Sequence, residues 1–459
     1  MITPLVLAAA ILVAWMSVEF NPRYVAALGA MPLLAIAFIY LLRYSQYYPL
    51  IILLAGLFIP FSLPTGTNSR LVISLVLTMA FSMGWIAKML MEDKRIALLP
   101  SPLNAPLLGF IAVTIISIPW SIYFRDYGLY IWRTFPIVQI TSGIVMVMLP
   151  VLYLMLANLV KDERVIKIMV AVMLAAGVVG LMSAVFRLYL PVNARGMFAL
   201  WVVGLAYSLA LFNYNLSRYL RIGLLSLALA WMIWNLGFNI SWLAGWLPPL
   251  IAVLVLSLLK SRKLLLVILL ILVVFIVIQW DYIQVAFLAE RAESGVTRLD
   301  AWKHNWTITR EHWLFGTGPA GYAVYYMTYF PTRAMATHSN YIDVLSQVGV
   351  IGFALILWFF AAHTWMGYRL VRRVQGRGDF TQAVINAAFA GTVACLVIMG
   401  FGDWMFPFTY TQTIAGFDYA AYNWLFMSCL LFYARSYGLL NRHQKASLQD
   451  GVGGDYPRE

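Results

Sequence analysis

Long apolar runs separated by short polar segments dominate the pattern of this chain. Runs of about 17 to 25 apolar residues can cross a bilayer as helices, and about fourteen such runs are present. They begin near residues 4, 24, 48, 70, 103, 139, 165, 198, 219, 242, 263, 338, 380 and 419. The pattern predicts an all-α fold, a polytopic integral membrane helix bundle of about 12 to 14 transmembrane helices.

Composition supports a membrane protein and argues against several other classes. Of 459 residues, 63% are hydrophobic and 11% charged, whereas soluble domains carry about 25% charged residues. The net charge of +13 is spread over short connections and forms no single patch, so we expect no nucleic-acid partner. Cys395 and Cys429 lie in apolar runs without metal-ligand spacing, so we expect neither redox chemistry nor a disulfide framework.

The basic connections indicate how the chain is oriented. Short loops on the cytoplasmic side of membrane proteins are enriched in Lys and Arg, and here the basic segments are 92–98, 161–167, 218–221, 260–263, 369–378 and the tail. The remaining connections then lie outside: 123–138, 187–197, 403–418 and the long loop 282–337. The first apolar run lacks a basic n-region and a cleavage site and reads as a first helix. We therefore predict one transmembrane domain over residues 1–440, including the extracytoplasmic loop 282–337, and a disordered cytoplasmic tail over 441–459.

The loop 282–337 is long enough to carry the function. Between Val296 and Trp313, Leu299, Trp302, Trp306 and Trp313 fall three, four and seven residues apart, which predicts an amphipathic helix lying in the membrane interface. An ordinary aromatic belt at the membrane boundary explains the tryptophans as well.

Two further segments of this loop suggest chemistry. "GTGPAG" at 316–321 matches G-x-G-x-x-G, but a helix precedes it and a proline lies inside it, so we predict a helix-terminating turn and no dinucleotide site. The tyrosines that follow, beginning at Tyr322, supply aromatic faces on which sugars stack, although packing against lipid headgroups explains them equally well.

His338 stands where this loop meets a long apolar run and is flanked by Thr337, Ser339 and Asn340. An imidazole accepts a proton near neutral pH, so His338 is a candidate base at the first turn of the following helix. A half-exposed interfacial histidine with a satisfied hydrogen bond is the alternative. Downstream, Gly349 and Gly352 lie three apart and predict one helix face open to close packing.

Two outer arginines, Arg298 and Arg195, are candidates for holding a pyrophosphate, because the planar guanidinium binds phosphate in bidentate fashion. The alternative for each is an interfacial arginine that reaches lipid phosphates. His304, His312 and His338 are conceivable metal ligands, but the first two are eight residues apart and no carboxylate pair completes the set. We therefore expect no metal site and no cofactor.

The run from His338 resembles a known signature: His338, Ser339, nine residues, Gly349, two residues and Gly352. It is similar to the H-[NSQ]-x9-G-x-x-[GTY] pattern of the O-antigen ligase superfamily, which also includes O-antigen polymerases and related protein oligosaccharyltransferases. "TRLDAWKHNWTITREHWLFGTGPAGY" and "RGMF" resemble two further outer elements of the family. The chain departs from the family at Trp313, where members often have Pro, and in "RGMF", which lacks the Pro-Asn pair that often follows the glycine.

The resemblance implies a metal-independent glycosyltransferase in the bacterial cytoplasmic (inner) membrane, with its active site on the extracytoplasmic face. The donor would be a glycan on undecaprenyl pyrophosphate, and the acceptor a hydroxyl of a glycan or glycolipid. His338 would deprotonate or orient that hydroxyl, while Arg298 and Arg195 would hold the pyrophosphate. The expected substrate contacts are completed by Trp302, Trp306, Tyr322, Ser339 and Asn340.

Other functions remain open at this point. An O-antigen or exopolysaccharide polymerase shares the signature, and we lean to the ligase description. A lipid-linked sugar flippase or transporter predicts ionisable residues deep in the spans and broken or repeated helices. A structural or assembly subunit predicts that substitutions of His338 are tolerated.

Overall fold

The fold is that of a multi-pass membrane protein made almost entirely of helices. The computed structural model describes residues 43–64, 70–240, 242–290, 296–330 and 336–439. The predicted spans near residues 4 and 24 and the predicted tail 441–459 lie outside these ranges. Every other predicted span coincides with a helix, which confirms the all-α prediction.

The helices follow one another through the bundle with short connections. In chain order they are α1 (Tyr48–Phe58), α2 (Ile73–Lys88), α3 (Asn104–Tyr123), α4 (Phe135–Leu159), α5 (Glu163–Phe186), α6 (Phe198–Phe212), α7 (Arg218–Phe238), α8 (Leu243–Lys260), α9 (Arg262–Ile278), α10 (Trp280–Glu290), α11 (Val296–Glu311), α12 (Tyr322–Tyr329), α13 (Asn340–Val374), α14 (Phe380–Ile398), α15 (Thr409–Gln412) and α16 (Gly416–Ser436). Two short antiparallel strands, β1 (Ser62–Pro64) and β2 (Arg70–Val72), separate α1 from α2.

Among the described helices, eight are long and apolar enough to cross a membrane by themselves. Two of the predicted spans lie outside the described residues, and some of the other apolar runs form shorter helices, such as α1 and α6. Helix α6 is buried along almost its whole length against α8 and α14, so protein rather than lipid surrounds it. In contrast, α9 has no buried residue and is apolar on all sides, as expected of a helix that faces lipid.

The connections between helices contact one another at the two ends of the bundle. At one end, Thr381 and Tyr433 donate to Glu163 at 2.6 and 3.1 Å, and the Tyr214 amide donates to the Gly378 carbonyl at 2.8 Å. These residues belong to or adjoin connections predicted to be cytoplasmic, so we call this the inner end. The connections predicted to be outside meet at the opposite, outer end.

Helix α13 is broken at Gly349, and the break shapes the outer end. Gly349 has φ 68° and ψ −173°, so it does not open a helix face as predicted. Its Cβ position is occupied by the backbone of Leu314 and Phe315, because residues 313–320 cross the helix at this point. A glycine is required there because a side chain would meet that backbone and because φ is positive. Gly352 does face another helix, since a Cβ there would lie 3.2 Å from Val113 of α3.

The crossing segment satisfies the backbone groups that the break exposes. The Val350 amide donates to the Trp313 carbonyl at 2.8 Å, and the Thr317 amide donates to the Ser346 carbonyl at 2.8 Å. The Gln347 side chain accepts from the Ala320 amide at 2.7 Å. "GTGPAG" therefore forms a turn after α11, as predicted, and it also closes the gap in α13.

Candidate active site

His338 lies two residues before α13, in a backbone conformation that few non-glycine residues adopt. Its φ is 51°, in the left-handed region. The ring is half-buried, whereas the flanking Thr337 and Ser339 are buried. The prediction placed His338 in the first helical turn; the helix instead begins at Asn340, because the left-handed residue ends the loop.

Both sides of His338 are fixed by hydrogen bonds. On one side, the Trp302 indole donates to the Thr337 carbonyl at 2.8 Å, and the Thr337 hydroxyl donates to the Asp343 carboxyl. On the other side, the Asn340 amide donates to the Gly402 carbonyl at 3.2 Å. The strained backbone of His338 is therefore held by its neighbours, a feature that clusters at functional sites.

Ser339 and Asn340, both predicted to bind substrate, make hydrogen bonds to protein backbone. Asn340 is fully buried; its side chain donates to the Phe406 carbonyl at 2.7 Å and accepts from the Met405 amide at 2.9 Å. The Ser339 hydroxyl is 3.4 Å from the Met399 carbonyl. In this structure the two residues join the start of α13 to the segment 399–408, which follows α14.

Two opposite charges act on the His338 imidazole. Burial lowers the pKa of His338 below its usual value; the Asp403 carboxylate raises this pKa, and the Arg298 guanidinium lowers it. The net direction is downward, so the neutral imidazole is favoured. A neutral ring with a carboxylate nearby can accept a proton and be stabilised as the imidazolium.

Asp403 is the residue of this group that the sequence prediction missed. Its carboxylate is buried and accepts hydrogen bonds from the Thr411 hydroxyl, from the Phe408 amide at 3.4 Å and from the Gln412 side chain at 3.3 Å. The available signal was an acidic residue in a predicted outer connection, but 65 positions separate it from His338 along the chain. Only the folded chain shows that the two residues interact.

The aromatic candidates occupy three different environments. Trp302 is half-buried and holds the Thr337 carbonyl, whereas Trp306 is 61% exposed. Tyr322 is fully buried, donates to Asp343 and stacks on Phe408 with the ring centres 4.6 Å apart. Burial is the main reason that the pKa of Tyr322 lies well above its usual value. Its ring face is covered by Phe408, so Tyr322 supports the site and does not offer that face to a sugar.

The predicted stripe of α11 is not the face that packs on the protein. Leu299, Trp306 and Trp313 are 58%, 61% and 58% exposed, and the buried face is formed by Ala301, Asn305, Ile308 and Thr309. Small and polar residues on this buried face allow α11 to pack against α13, where Ser346 donates to Asn305. The exposed tryptophans remain available for the predicted membrane interface.

Arg195 lies in a cavity on the other side of the segment 399–408. This cavity has a volume of about 400 Å³ and is also lined by Arg70, Asn193, Asp418 and Tyr419. Neither His338 nor Arg298 is among its lining residues. The charge of Arg298 therefore acts on His338. Arg195 instead lines a separate cavity together with Arg70.

The segment 399–408 connects the two places. Gly196 has φ 59°, and its Cβ position lies 3.1 Å from the Trp404 ring. The Tyr422 hydroxyl donates to the Arg195 carbonyl. Since Met405 and Phe406 bind Asn340, one short segment touches both the Arg195 loop and the start of α13.

The two other histidines of the outer loop have separate surroundings. His304 packs against Phe330 with the ring centres 4.0 Å apart, and His312 lies 3.5 Å from the Asp126 carboxylate. Across the described ranges, no group of three or more His, Cys, Asp or Glu side chains is placed to hold a metal ion.

Comparison with known families agrees with the signature. Residues 203–357 match the family model described as O-antigen ligase. The match includes Arg298, His338, Gly349 and Gly352, whereas Arg195 and Asp403 lie outside it. The comparison with curated proteins gave no match. The resemblance predicted from the sequence is thereby confirmed over residues 203–357, the part of this membrane protein that matches the O-antigen ligase family model.

Proposed function

We propose that this protein is a metal-independent glycosyltransferase of the O-antigen ligase type. It would transfer a glycan from undecaprenyl pyrophosphate to an acceptor hydroxyl at the outer face of the bacterial cytoplasmic membrane. The observation that carries the proposal is that His338 lies in a strained, fixed loop, where the opposite charges of Asp403 and Arg298 both act on its ring. The family match over residues 203–357 supports the same reaction class.

The reaction needs one bond to form and one to break. The acceptor oxygen bonds to the anomeric carbon of the donor sugar, while the bond between that carbon and the pyrophosphate oxygen breaks. The proton of the acceptor hydroxyl passes to the neutral His338 ring, and the bonding electrons leave with undecaprenyl pyrophosphate. The Asp403 carboxylate stabilises the imidazolium, and the Arg298 guanidinium stabilises the negative charge that develops on the leaving group.

Arg195 would act from the neighbouring cavity. Arg195 and Arg70 both line this cavity and bring two positive charges to it, while the buried Asp418 carboxyl accepts a hydrogen bond from Ser74. Two guanidinium groups lining one cavity are suited to a phosphate group of the donor. Arg195 would thus contact the pyrophosphate from one side of the segment 399–408 and Arg298 from the other.

The break in α13 bears on the transporter alternative. Transporters use broken helices to line a substrate path with unpaired backbone groups. At Gly349 the exposed groups are instead bonded by the segment 313–320, with Val350 and Thr317 as donors. A break that is filled by protein backbone favours a rigid catalytic site over a moving gate.

The test is a purified transfer assay. Wild-type protein and His338→Ala would receive undecaprenyl-pyrophosphate glycan in detergent with EDTA, with and without acceptor, and the release of undecaprenyl pyrophosphate would be measured. We expect acceptor-dependent release by the wild type and a loss of about 10²- to 10⁴-fold in the variant at unchanged thermal stability. An acceptor that is a glycolipid core indicates a ligase, and a second lipid-linked glycan indicates a polymerase. Donor binding without any turnover by the wild type would contradict the proposal and favour transport.

A further inference from the structure

Two cavities share a wall at the outer end of α3, next to the loop 124–134. The larger has a volume of about 700 Å³, and the smaller, about 120 Å³, lies deeper. Both are lined by Ile122, Arg125, Leu129 and Ile131. A ligand that fills the larger cavity therefore meets the same residues that border the deeper one.

The walls of the larger cavity combine aromatic rings with charged groups. Tyr123 is 82% exposed and Tyr127 108%, so both rings are free to contact a ligand. Arg125 and Asp126 stand between them in the sequence and line the same cavity. Aromatic faces accept the C–H surfaces of sugars, while guanidinium and carboxylate groups bond their hydroxyls. An aromatic belt that only contacts lipid would not require the charges of Arg125 and Asp126.

The deeper cavity is lined by polar groups as well as apolar ones. Gln139 donates to the Ser121 hydroxyl at 2.9 Å, and both side chains line this cavity together with Thr317 and Tyr325. Thr317 belongs to the segment that crosses the break in α13. The volume suits a hydroxyl or hydroxymethyl substituent of a sugar and not a whole ring.

The loop that forms these cavities is fastened to the helices that hold His338. Asp126 lies 3.5 Å from the His312 ring and accepts from the Tyr329 hydroxyl at 3.5 Å. The Tyr130 amide donates to the Thr328 hydroxyl at 3.1 Å. Since α12 also carries Tyr322, which donates to Asp343 behind the His338 loop, a single short helix joins the two places.

We propose that these two cavities form a carbohydrate-binding site that holds sugar units of the glycan away from the reacting bond. Tyr123 and Tyr127 stack on pyranose rings, Arg125 and Asp126 bond hydroxyl groups, and one substituent enters the space beside Gln139 and Thr317. The proposal rests on the proposed function, since it names where a glycan substrate extends beyond the His338 site. It requires that longer glycans bind more tightly than short ones.

The experiment compares donors of two lengths. Undecaprenyl pyrophosphate carrying one sugar and the same lipid carrying several repeat units are assayed for KM with the wild type, with the double variant Tyr123→Ala/Tyr127→Ala, and with Tyr130→Ala. Tyr130 is 70% exposed and lies in the same loop, but it lines neither cavity, so its variant is the matched control. We expect the KM advantage of the long donor to fall about 5- to 10-fold in the double variant and to persist in the control.

Two results would overturn the inference: no length dependence in the wild type, or an advantage that survives the double substitution. If the wild type turns over neither donor, the proposed function is wrong, but the carbohydrate-binding site remains to be tested. A binding measurement then tests that site separately. Soluble oligosaccharides released by mild acid from the surface polysaccharide of the source cells serve as the probe in saturation-transfer NMR. Transfer that is lost in Tyr123→Ala/Tyr127→Ala and kept in Tyr130→Ala supports the site, and transfer that is absent or equal in all three overturns it.

Discussion

His338 and His363 lie close together in the sequence but differ in burial and in the groups that surround them. His363 is buried within α13, where its Nδ1 is 2.9 Å from the Tyr153 hydroxyl and its Nε2 is 3.3 Å from the Thr392 hydroxyl. His338 precedes α13, is half-buried and experiences the charges of Asp403 and Arg298. Both nitrogens of His363 have protein partners, so that ring joins helices, whereas His338 remains accessible to a substrate. The comparison shows that partners and exposure, and not residue type, separate a structural histidine from a candidate base.

Apart from loss of His338 itself, Arg298→Ala should have the largest effect on turnover. In the proposed reaction Arg298 stabilises the leaving group, so its removal is expected to lower kcat about 10²- to 10³-fold. Because Arg298 lowers the pKa of His338, its loss should also move the acid limb of the pH–rate profile to higher pH. Arg310→Ala, on the exposed face of the same helix, is the matched control. Equal losses in both variants would contradict a role for Arg298 at the site.

Gly349→Ala should lower stability, because it alters the break in α13 between His338 and His363. A non-glycine residue with positive φ costs about 1–3 kcal/mol, and the Leu314 carbonyl adds a collision. Gly376 also has positive φ, 87°, but its Cβ position is open, so Gly376→Ala isolates the backbone cost. Thermal unfolding should show a larger loss for Gly349→Ala, and equal losses would argue against the crossing of residues 313–320.

Asp403→Asn should lower turnover by about 10- to 100-fold, since about 1.4–2.7 kcal/mol of imidazolium stabilisation is lost. Asp403 raises the pKa of His338, so removing its charge lowers this pKa further. The base then stays neutral to lower pH, and the acid limb should move down, opposite to the shift in Arg298→Ala. A pH–rate profile that moves in the same direction in both variants would refute the charge arrangement.

His363→Phe should have the smallest effect. The substitution keeps an aromatic ring beside Phe359 but removes bonds between helices, which are worth about 0.6–1.7 kcal/mol in membrane proteins. We expect a modest drop in unfolding temperature and unchanged turnover per folded molecule. Tyr153→Phe, which removes one of the same bonds, should give a comparable drop. A large loss of kcat at normal stability would assign His363 to the chemistry.

Much of the fold follows from the sequence because an apolar run of bilayer length has few alternatives to a helix. The runs near residues 103, 139 and 165 therefore coincide with α3, α4 and α5. The break at Gly349 could not be predicted in this way, because it depends on a backbone segment that arrives from another part of the chain. Periodicity identified the exposed apolar stripe of α11, but it gave no sign that Ala301 and Asn305 form the face that packs against α13.

The candidate site was only partly predictable for a similar reason. His338 and Arg298 could be chosen from residue type, position at a membrane boundary and the family signature. That Ser339 and Asn340 bind the segment 399–408 could not be predicted, because this segment comes from a distant part of the chain. Asp403 could not be paired with His338 because their interaction depends on how that segment folds back over α13.

The most direct test of His338 as the base compares substitutions of the two histidines in the same assay. His338→Ala and His363→Ala are purified, normalised to folded protein by thermal unfolding, and assayed for acceptor-dependent release of undecaprenyl pyrophosphate. We expect His338→Ala to lose about 10²- to 10⁴-fold in kcat at near-normal stability, and His363→Ala to lose stability but keep its turnover per folded molecule. Normal turnover in His338→Ala, or the same loss in both variants, would contradict the assignment of His338 as the base.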